Sequence, residues 1–214
     1  MPSALDHYLN GHCSPAHEGL EWIEAATNIH TNYPRMMCGK VQGRLLTMLV
    51  QISGAEKALE IGTFTGYSSA CIALGLPENG HLDTLEIDDE LEDIIREGWR
   101  RCRVAERITL HTGPALDTLK TLALSKNPDL YDFAYIDADK REYIAYYEAL
   151  MPILCPGGII VADDVLLGGK PCDENCRDAK TQALRAFNDH VKNDPRVEVV
   201  ILPLRDGISL IRKL

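Results

Sequence analysis

Short apolar runs alternate with amphipathic segments along the chain from about residue 57 to its carboxyl end. The apolar runs are rich in large aliphatic and aromatic side chains and close on Gly or acidic residues, which is typical of buried strands. The segments between them have the three- and four-residue apolar spacing of a helix. This alternation predicts an α/β fold of β-α-β units, with a doubly wound, mostly parallel sheet covered by helices on both faces.

Seven strands are predicted, at 57–62, 81–87, 107–113, 131–138, 158–164, 197–204 and 207–214. The last two form an antiparallel hairpin at the edge of the sheet. The helices between the strands are predicted at 65–76, 88–104, 115–125, 141–154 and 178–193. Asp88 is a candidate N-cap for the second of these helices, because acids follow it and arginines stand in the last turn.

The first 56 residues are expected to be helical, most clearly at 18–32. We expect this segment to fold as a cap or lid over the carboxyl edge of the sheet, where open α/β sheets bind their ligands. No internal repeat or Pro/Gly/Ser-rich linker interrupts the sequence. A single domain spanning 1–214 is therefore predicted, with the cap at 1–56 and the sheet at 57–214.

Composition narrows the class of protein. The 214 residues are 45% hydrophobic and 25% charged, and no apolar stretch approaches the roughly 20 residues of a membrane helix. The first residues show neither a secretory signal nor a transit peptide, so we expect a soluble, cytoplasmic protein without a membrane partner. A net charge of −10 argues against nucleic acid, which is bound through Lys and Arg. Small-molecule partners are expected, and a homodimer is left open.

Seven cysteines are an odd number and fit reduced thiols better than a disulfide framework. Only Cys172 and Cys176, in CDENC, stand close together. A zinc site would need a second Cys/His pair at regular spacing, and none is nearby. We therefore interpret this segment as a polar loop.

The first strand ends in LEIGTFTGYSS, residues 59–69. This turn matches neither G-x-x-x-x-G-K-[ST] nor G-x-G-x-x-G, which disfavours a pyrophosphate cofactor. S-adenosylmethionine fits better, because its carboxylate can bind helix N-terminal amides and Ser68, while its ammonium needs an acid such as Glu60. The alternative is that Gly62 and Gly66 only form a turn between a strand and a helix, and that the Glu60 carboxylate is capped within the protein and binds no ligand.

The second strand ends at Glu86, which is placed to accept both ribose hydroxyls of an adenosine lying across the sheet edge. The acids that follow, Asp88 to Glu90, show that carboxylates here also serve the next helix. After the third strand the chain turns at Gly113 and Pro114, and Ala115 can wall the adenine. Together these strand ends favour a ribonucleoside cofactor.

Two successive strands then break off into aspartates, at Asp137 and at Asp163–Asp164. If these strands pair directly, their ends lie about 4.8 Å apart. Carboxylates gathered there repel one another unless a cation holds them, and oxygen ligands select a hard divalent ion such as Mg²⁺. The alternative is that the acids cap the following helices, which is the stronger case for Asp139.

With these motifs the chain resembles the metal-dependent class I S-adenosylmethionine O-methyltransferases of the caffeoyl-CoA and catechol O-methyltransferase type, over about residues 34–214. The landmarks are LEIGTFTGYSS, TLEID, GPALDTL, YDFAYIDADKREYIAYYEAL, LCPGGIIVADDVLLGG and LPLRDGISLIRK. The resemblance implies a Rossmann-like fold. It implies cofactor contacts from Cys38, Gly39, Glu60, Gly62, Thr63, Ser68, Glu86, Ala115, Asp137 and Asp139. It implies metal ligation by Asp137, Asp163 and Asp164, and catalysis by Lys140 with Asp137.

The chemistry of this family explains these residue types. A catechol chelates the ion through both hydroxyls, and the ion lowers the pKa of the hydroxyl to be methylated. Lys140 can take the proton or stabilise the phenolate, which attacks the sulfonium methyl in line. A merely solvated Lys140 is the poorer interpretation, because a cation at a helix start opposes the helix dipole.

The sequence departs from the family pattern at two places. Residue 164 is Asp where the family usually has Asn, which changes the charge around the metal. Where the catechol enzymes place a substrate-contacting acid near the closing hairpin, this chain has Val200, with Glu198 close by. The amino-terminal extension is also shorter than in the plant coenzyme A enzymes, which favours a free catechol over an acyl-CoA.

The leading hypothesis is therefore methylation of one hydroxyl of a catechol or other vicinal dihydroxy aromatic. Caffeoyl-CoA-like esters are the alternative acceptors. An NAD-dependent oxidoreductase is disfavoured by the missing G-x-G-x-x-G. A catalytically idle cofactor-binding module is disfavoured because Asp137, Lys140 and Asp163 are all present.

Overall fold

A computed structural model describes residues 4–124 and 130–214. The strands in these residues are β1 (Lys57–Ile61), β2 (His81–Glu86), β3 (Ile108–Thr112), β4 (Tyr131–Ile136), β5 (Leu154–Ala162), β6 (Val197–Leu202) and β7 (Ile208–Lys213). The helices are α1 (Ala4–His12), α2 (Glu18–His30), α3 (Lys40–Ser53), α4 (Tyr67–Gly75), α5 (Glu92–Arg101), α6 (Ala115–Ala123), α7 (Tyr143–Leu150) and α8 (Ala179–Lys192). The predicted end of α6, Ser125, lies outside the described residues.

The strands form one sheet in the spatial order β3-β2-β1-β4-β5-β7-β6. Strands β1 to β5 pair in parallel, while β7 runs antiparallel to both β5 and β6. This arrangement confirms the predicted doubly wound sheet with a closing hairpin. The topology switches between β1 and β4, so the carboxyl ends of these two strands border the crevice where such sheets bind ligands.

Two hydrophobic clusters cover the two faces of the sheet, and β4 contributes to both. Phe133 and Tyr135 belong to the cluster beneath α3, α4 and α5. Ala134 and Ile136 belong to the cluster beneath α6, α7 and α8. Because alternate residues of a strand point to opposite faces, a strand buried on both sides is apolar throughout. This explains why the parallel strands appear in the sequence as uninterrupted apolar runs.

The amino-terminal helices lie mainly on one face of the sheet, where α2 packs against α5 and α3 against α4. The segment joining them contains a 3-10 helix, Pro34–Met36, and ends at the buried Cys38. This joining segment reaches the carboxyl edge, as expected of a lid. No helix in the described part of the chain has the length and apolarity that a membrane span requires.

Several element boundaries differ from the predicted ones. Helix α5 begins at Glu92, and Asp88 instead accepts the backbone N–H of Glu90 in the preceding turn (2.8 Å), so the predicted N-cap is wrong. Helix α7 is preceded by a 3-10 turn at Lys140–Glu142. Strand β5 begins at Leu154, earlier than predicted, and stops at Ala162. The two aspartates after Ala162 therefore lie beyond the strand.

At Gly62 the backbone after β1 lies very close to the backbone after β4. The φ of Gly62 is +100°, and a Cβ atom built there would lie 2.1 Å from the carbonyl oxygen of Asp137. The Gly62 N–H also donates to the carbonyl of Leu85 (2.9 Å). Residue 62 therefore touches the ends of both neighbouring strands, β2 and β4, and a side chain would push β4 away.

We predict that Gly62→Ala destabilises the protein far more than Gly157→Ala. Gly157 also has a positive φ, +82°, but nothing lies within 4 Å of its missing Cβ. The control should lose only about 1 kcal/mol for the left-handed backbone. Gly62→Ala should lose at least about 2 kcal/mol more, because backbone must shift to remove an overlap. Urea unfolding of the two variants measures the difference, and equal losses would contradict the steric argument.

Candidate functional site

A cavity of about 780 Å³ opens at the carboxyl ends of β1, β2 and β4. Its walls come from the turn after β1, the end of β2, the start of α6 and the segment after β4. The predicted cofactor-binding residues that line it are Cys38, Gly62, Thr63, Ser68, Glu86, Ala115, Asp137 and Asp139. Gly39 and Glu60 do not line it. We call this space the larger cavity.

The Glu86 carboxylate shapes the turn after β1. Its Oε2 accepts the backbone N–H groups of Thr63 (3.0 Å) and Phe64 (2.7 Å), and its Oε1 accepts that of Ile87 (2.9 Å). Phe64 has a φ of +51°, which is uncommon for a residue other than glycine. Oε1 also accepts the N–H of Asp88 (3.4 Å). Glu86 therefore supports the strained turn, a role the sequence did not predict.

Glu60 lies fully buried behind the turn, on the α4 side of β1. Its Oε2 accepts hydrogen bonds from the hydroxyls of Ser69 and Thr84 (2.6 Å for Thr84). Burial raises the pKa of Glu60 to about 7, although the neighbouring hydroxyls oppose this shift. Its Oε1 has no hydrogen-bond partner. A buried carboxylate oxygen without a donor is a site that an ammonium group would satisfy.

Cys38 and Gly39, two further predicted cofactor residues, differ in position, because Cys38 lines the larger cavity and Gly39 does not. Cys38 is buried, and burial raises the pKa of its thiol, so the thiol stays protonated. Gly39 follows it as the N-cap of α3, and its carbonyl accepts the Gly43 N–H (2.8 Å). Gly39 thus orients Cys38 rather than lining the cavity itself.

Asp139 caps the 3-10 turn at Lys140–Glu142. Capping was the alternative role considered for this residue from the sequence. Asp139 accepts the backbone N–H of Arg141 (3.0 Å) and pairs with the guanidinium of the same residue. These hydrogen bonds lower the pKa of Asp139 to about 2. Its carboxylate also lines the larger cavity, so capping does not exclude contact with a ligand.

The Lys140 ammonium lies at the centre of the acidic end of the site. Its Nζ is 2.6 Å from Oδ1 of Asp137 and 3.0 Å from Oδ2 of Asp164. It also donates to the hydroxyl of Tyr143 (2.8 Å), which donates in turn to the carbonyl of Asp163 (2.9 Å). The structure therefore brings the predicted catalytic lysine and two predicted metal ligands together.

Burial alone would lower the pKa of Lys140, but Tyr143 and the carboxylates of Asp137 and Asp164 outweigh it and raise the pKa. Lys140 is therefore a firmly held cation. Burial is also the largest influence on Asp137, whose pKa is raised despite the attraction of Lys140. Of the two predicted roles for Lys140, stabilising a phenolate suits this state, whereas accepting a proton does not.

Asp163 has a different environment from the other two aspartates. Its Oδ2 accepts hydrogen bonds from the amide of Gln42 (2.5 Å) and the hydroxyl of Tyr135 (2.7 Å), and its Oδ1 accepts the N–H of Asp164 (2.8 Å). Burial and then the neighbouring Asp164 raise the pKa of Asp163. Gln42 and Tyr135 are partners that sequence patterns gave no means of finding.

The three aspartates do not converge on one point. Among the described residues, the one group of three potential ligands whose atoms all lie within 4.8 Å of one another is Glu148, His190 and Asp194. The guanidinium of Arg196 already pairs with two members of that group. The metal set of Asp137, Asp163 and Asp164 therefore stays a prediction.

Asp164 faces the site because the chain bends after β5. Its φ is +57°, in the left-handed region that Asp and Asn tolerate better than most residues. The backbone N–H groups of Val165 and Leu166 donate to the carbonyls of Gly207 (3.1 Å) and Asp206 (2.8 Å). The loop between β6 and β7 thus fixes the bend that carries Asp164.

A smaller cavity of about 380 Å³ adjoins the larger one. It is walled by segment 32–36, the three aspartates and two residues of the β6–β7 loop, Arg205 and Asp206. Met36, Asp137 and Asp164 line both cavities. The carboxylates paired with Lys140 therefore stand at the junction of the two spaces, where groups bound in each would meet.

Residues 172, 176, 198 and 200, which were considered from sequence, lie outside both cavities. Cys176 donates to Asp173 (3.6 Å), and neither it nor Cys172 belongs to the one candidate metal group among the described residues. Glu198 pairs with Arg212 (3.4 Å), and Val200 is exposed on β6.

Comparison with known proteins gives consistent matches over nearly the whole chain. A sequence model described as O-methyltransferase matches residues 10–214. A Mus musculus protein named catechol O-methyltransferase domain-containing protein 1 is 39% identical over 210 residues, covering 98% of this chain and 80% of that protein. A Niastella koreensis catechol O-methyltransferase is 32% identical over 214 residues, covering 97% of this chain and 95% of the relative.

The fold is matched equally well. The crystal structure of an O-methyltransferase from Bacillus cereus, in complex with SAH, superimposes with a TM-score of 0.92. The two chains are 33% identical, and the alignment covers 99% of this chain and 98% of the Bacillus chain.

The buried carboxyl of Glu60 predicts a pH-dependent stability. Its folded pKa, about 7, lies above its ordinary value of 4.5. Its contribution is therefore full below about pH 4.5 and is lost as the pH rises through about 7. Between about pH 5.5 and about pH 8 the wild type should lose about 2 kcal/mol that Glu60→Gln does not lose.

Urea unfolding at the two pH values measures this difference. Glu90→Gln, at an exposed acid, serves as the matched control and should follow the wild type. Parallel pH profiles for the wild type and Glu60→Gln would show that Glu60 is ionised without cost in the folded protein.

Proposed function

The chain belongs to the O-methyltransferase family, and we propose that it transfers the methyl group of S-adenosylmethionine to one hydroxyl of a catechol or other vicinal dihydroxy aromatic, with the help of a divalent cation. Family membership confirms the resemblance drawn from the motifs. The observation that carries the proposal is the position of Lys140, held between Asp137 and Asp164 where the larger and smaller cavities meet.

The larger cavity fits the cofactor chemically. Glu60 lies buried behind the wall of this cavity rather than in it, and its unpartnered Oε1 is an acceptor close to the turn that suits an ammonium group. Glu86 lines the cavity, and its carboxylate suits ribose hydroxyls, which would share it with the backbone N–H donors that it accepts here. The walls are otherwise largely apolar and carry no Lys or Arg at the turn after β1. S-adenosylmethionine, which has no phosphate, matches this combination of charges.

The donor set at the cavity junction also fits a hard cation. Asp137 and Asp164 already gather around the positive charge of Lys140, and carboxylate oxygens are the ligands that Mg²⁺ prefers. These two residues would hold the ion, with Asp163 as the third ligand expected from sequence. When bound, a divalent cation lowers the pKa of a coordinated hydroxyl.

The residues of the chain position the acceptor and stabilise its oxygen, while the proton of the hydroxyl is released to water. Lys140 keeps its own proton and presents a buried ammonium, so it stabilises the oxygen that becomes a phenolate. The hydroxyl of Tyr143 accepts a hydrogen bond from Lys140 and donates one to the backbone carbonyl of Asp163, which fixes the position of the ammonium. Because Met36, Asp137 and Asp164 line both cavities, an acceptor oxygen at the junction can lie directly against the methyl group of a cofactor in the larger cavity, and this proximity supplies much of the acceleration.

We predict that the purified protein methylates a simple catechol when given S-adenosylmethionine and Mg²⁺. Excess EDTA should abolish transfer and added Mg²⁺ should restore it, because Asp137 and Asp164 are expected to hold the ion. Asp137→Asn should lose transfer while still binding SAH in a calorimeter. Full activity in EDTA would contradict the proposed requirement for a metal ion. Cofactor binding without transfer to any catechol or to caffeoyl-CoA would favour a catalytically idle cofactor-binding module.

A second prediction concerns Glu86. Replacing it with Ala should weaken SAH binding by about 1.5 to 3 kcal/mol, because hydrogen bonds to a charged group are lost and the turn at Thr63 loses its support. Calorimetric titration measures this, and thermal melting separates it from unfolding. Glu90→Ala removes the same charge from a nearby exposed position and should bind SAH normally. Unchanged affinity in Glu86→Ala would refute the role.

A further inference from the structure

The smaller cavity has its acids at the inner end and its guanidinium groups at the mouth. Asp163 is 4% exposed, and the side chains of Asp137 and Asp164 are 20% and 35% exposed. Arg35 and Arg205 line the same cavity and are exposed to solvent. The two ends of the space therefore differ in the sign of their charge.

The inner acids are already compensated in part. Lys140 pairs with Asp137 and Asp164, and the carboxylate of Asp163 is turned to Gln42 and Tyr135. A ligand in the smaller cavity therefore meets acids at its inner end whose charge Lys140 balances in part and the proposed cation would balance further. This end suits the hydroxyl groups of an aromatic diol, which can donate hydrogen bonds to the carboxylates and accept them from Lys140.

The guanidinium of Arg35 makes no hydrogen bond or ion pair with another described residue. Arg205 is held in place, since it donates to the carbonyls of Met37 (3.1 Å) and Arg35 (3.3 Å). Its φ of +50° is strained for a residue other than glycine. Its Nε–H is not used in either bond, so both arginines offer donors at the mouth.

Apolar side chains also line the smaller cavity. Tyr33 is 71% exposed and Met36 is 60% exposed, and both line the smaller cavity beside Pro34. Large apolar side chains left open in a cavity wall favour an aromatic ring as the occupant. The smaller cavity therefore combines buried acids with exposed apolar and guanidinium groups.

We propose that the natural acceptor is a dihydroxy aromatic that carries a single carboxylate on the side of the ring remote from its hydroxyls, and that Arg35 binds this carboxylate with Arg205 beside it. This inference rests on the proposed function and deepens it. Guanidinium groups bind carboxylates through paired N–H donors, which gives direction as well as strength.

The same charges argue against an acceptor with several phosphates. Asp206 also lines the mouth, so two guanidiniums face one opposing carboxylate there. This leaves about one net positive charge for a ligand, on a protein whose net charge is −10. One carboxylate matches that balance, whereas a polyphosphate such as a coenzyme A tail needs several cations.

The test compares three acceptors with the same ring and similar side-chain length: 3-(3,4-dihydroxyphenyl)propionate, 4-ethylcatechol and dopamine. They are anionic, neutral and cationic. With Mg²⁺ and S-adenosylmethionine, kcat/KM for the propionate should exceed that for 4-ethylcatechol about ten-fold, mainly through KM, and dopamine should be the poorest. Calorimetric binding to the protein loaded with SAH and Mg²⁺ should give the same order.

Arg35→Gln should reduce the propionate-to-ethylcatechol ratio to near one, and Arg35→Glu should invert the preference towards dopamine. Arg103→Gln is the matched control, because Arg103 is exposed and lies before β3, at the opposite edge of the sheet. It should leave the ratio unchanged. A wild-type ratio near one, or an unchanged ratio in Arg35→Gln, would overturn the inference while transfer to 4-ethylcatechol still supports the proposed function. Transfer to none of the three acceptors would overturn both.

Discussion

Acidic groups at the ends of buried strands need a cation, and much of the site follows from that constraint. Asp137, Asp163 and Asp164 follow two adjacent apolar strands, where removal from water penalises each charge. Lys140 compensates two of them directly, at 2.6 and 3.0 Å. Gln42 and Tyr135 compensate the third with neutral donors. The positions of α3, β4 and the 3-10 turn at Lys140–Glu142 are all tied to these acids.

A second set of contacts keeps the acids in place from the outside. The β6–β7 loop accepts backbone N–H groups from the turn after Asp164, and Arg205 in the same loop binds the carbonyls of Arg35 and Met37. One loop thus connects the acidic turn to the amino-terminal segment that walls both cavities. The amino-terminal segment and the bend at Asp164 are thus joined by hydrogen bonds to one loop as well as by the sheet.

The sequence predicted the parts of this structure that depend on local pattern. Apolar periodicity located the strands and the hairpin, and the acids at strand ends located the edge that carries the site. It did not predict contacts between distant segments, such as Gln42 with Asp163, because no spacing along the chain encodes them. The sequence also did not show that Glu86 accepts hydrogen bonds from the backbone of Thr63 and Phe64. A carboxylate that binds a ligand and one that stabilises a turn cannot be told apart by sequence alone.

Asp164 shows how backbone and charge are separate constraints at one position. Its left-handed φ of +57° can be met by Asn as well as by Asp, so the backbone does not require the carboxylate. The carboxylate matters through charge, because it adds a second anion to the Lys140 ammonium. A divalent cation at this position must compete with that ammonium for the same oxygens. The strength of the proposed metal binding would therefore depend on an exchange of cations, in which an extra carboxylate favours the ion of higher charge.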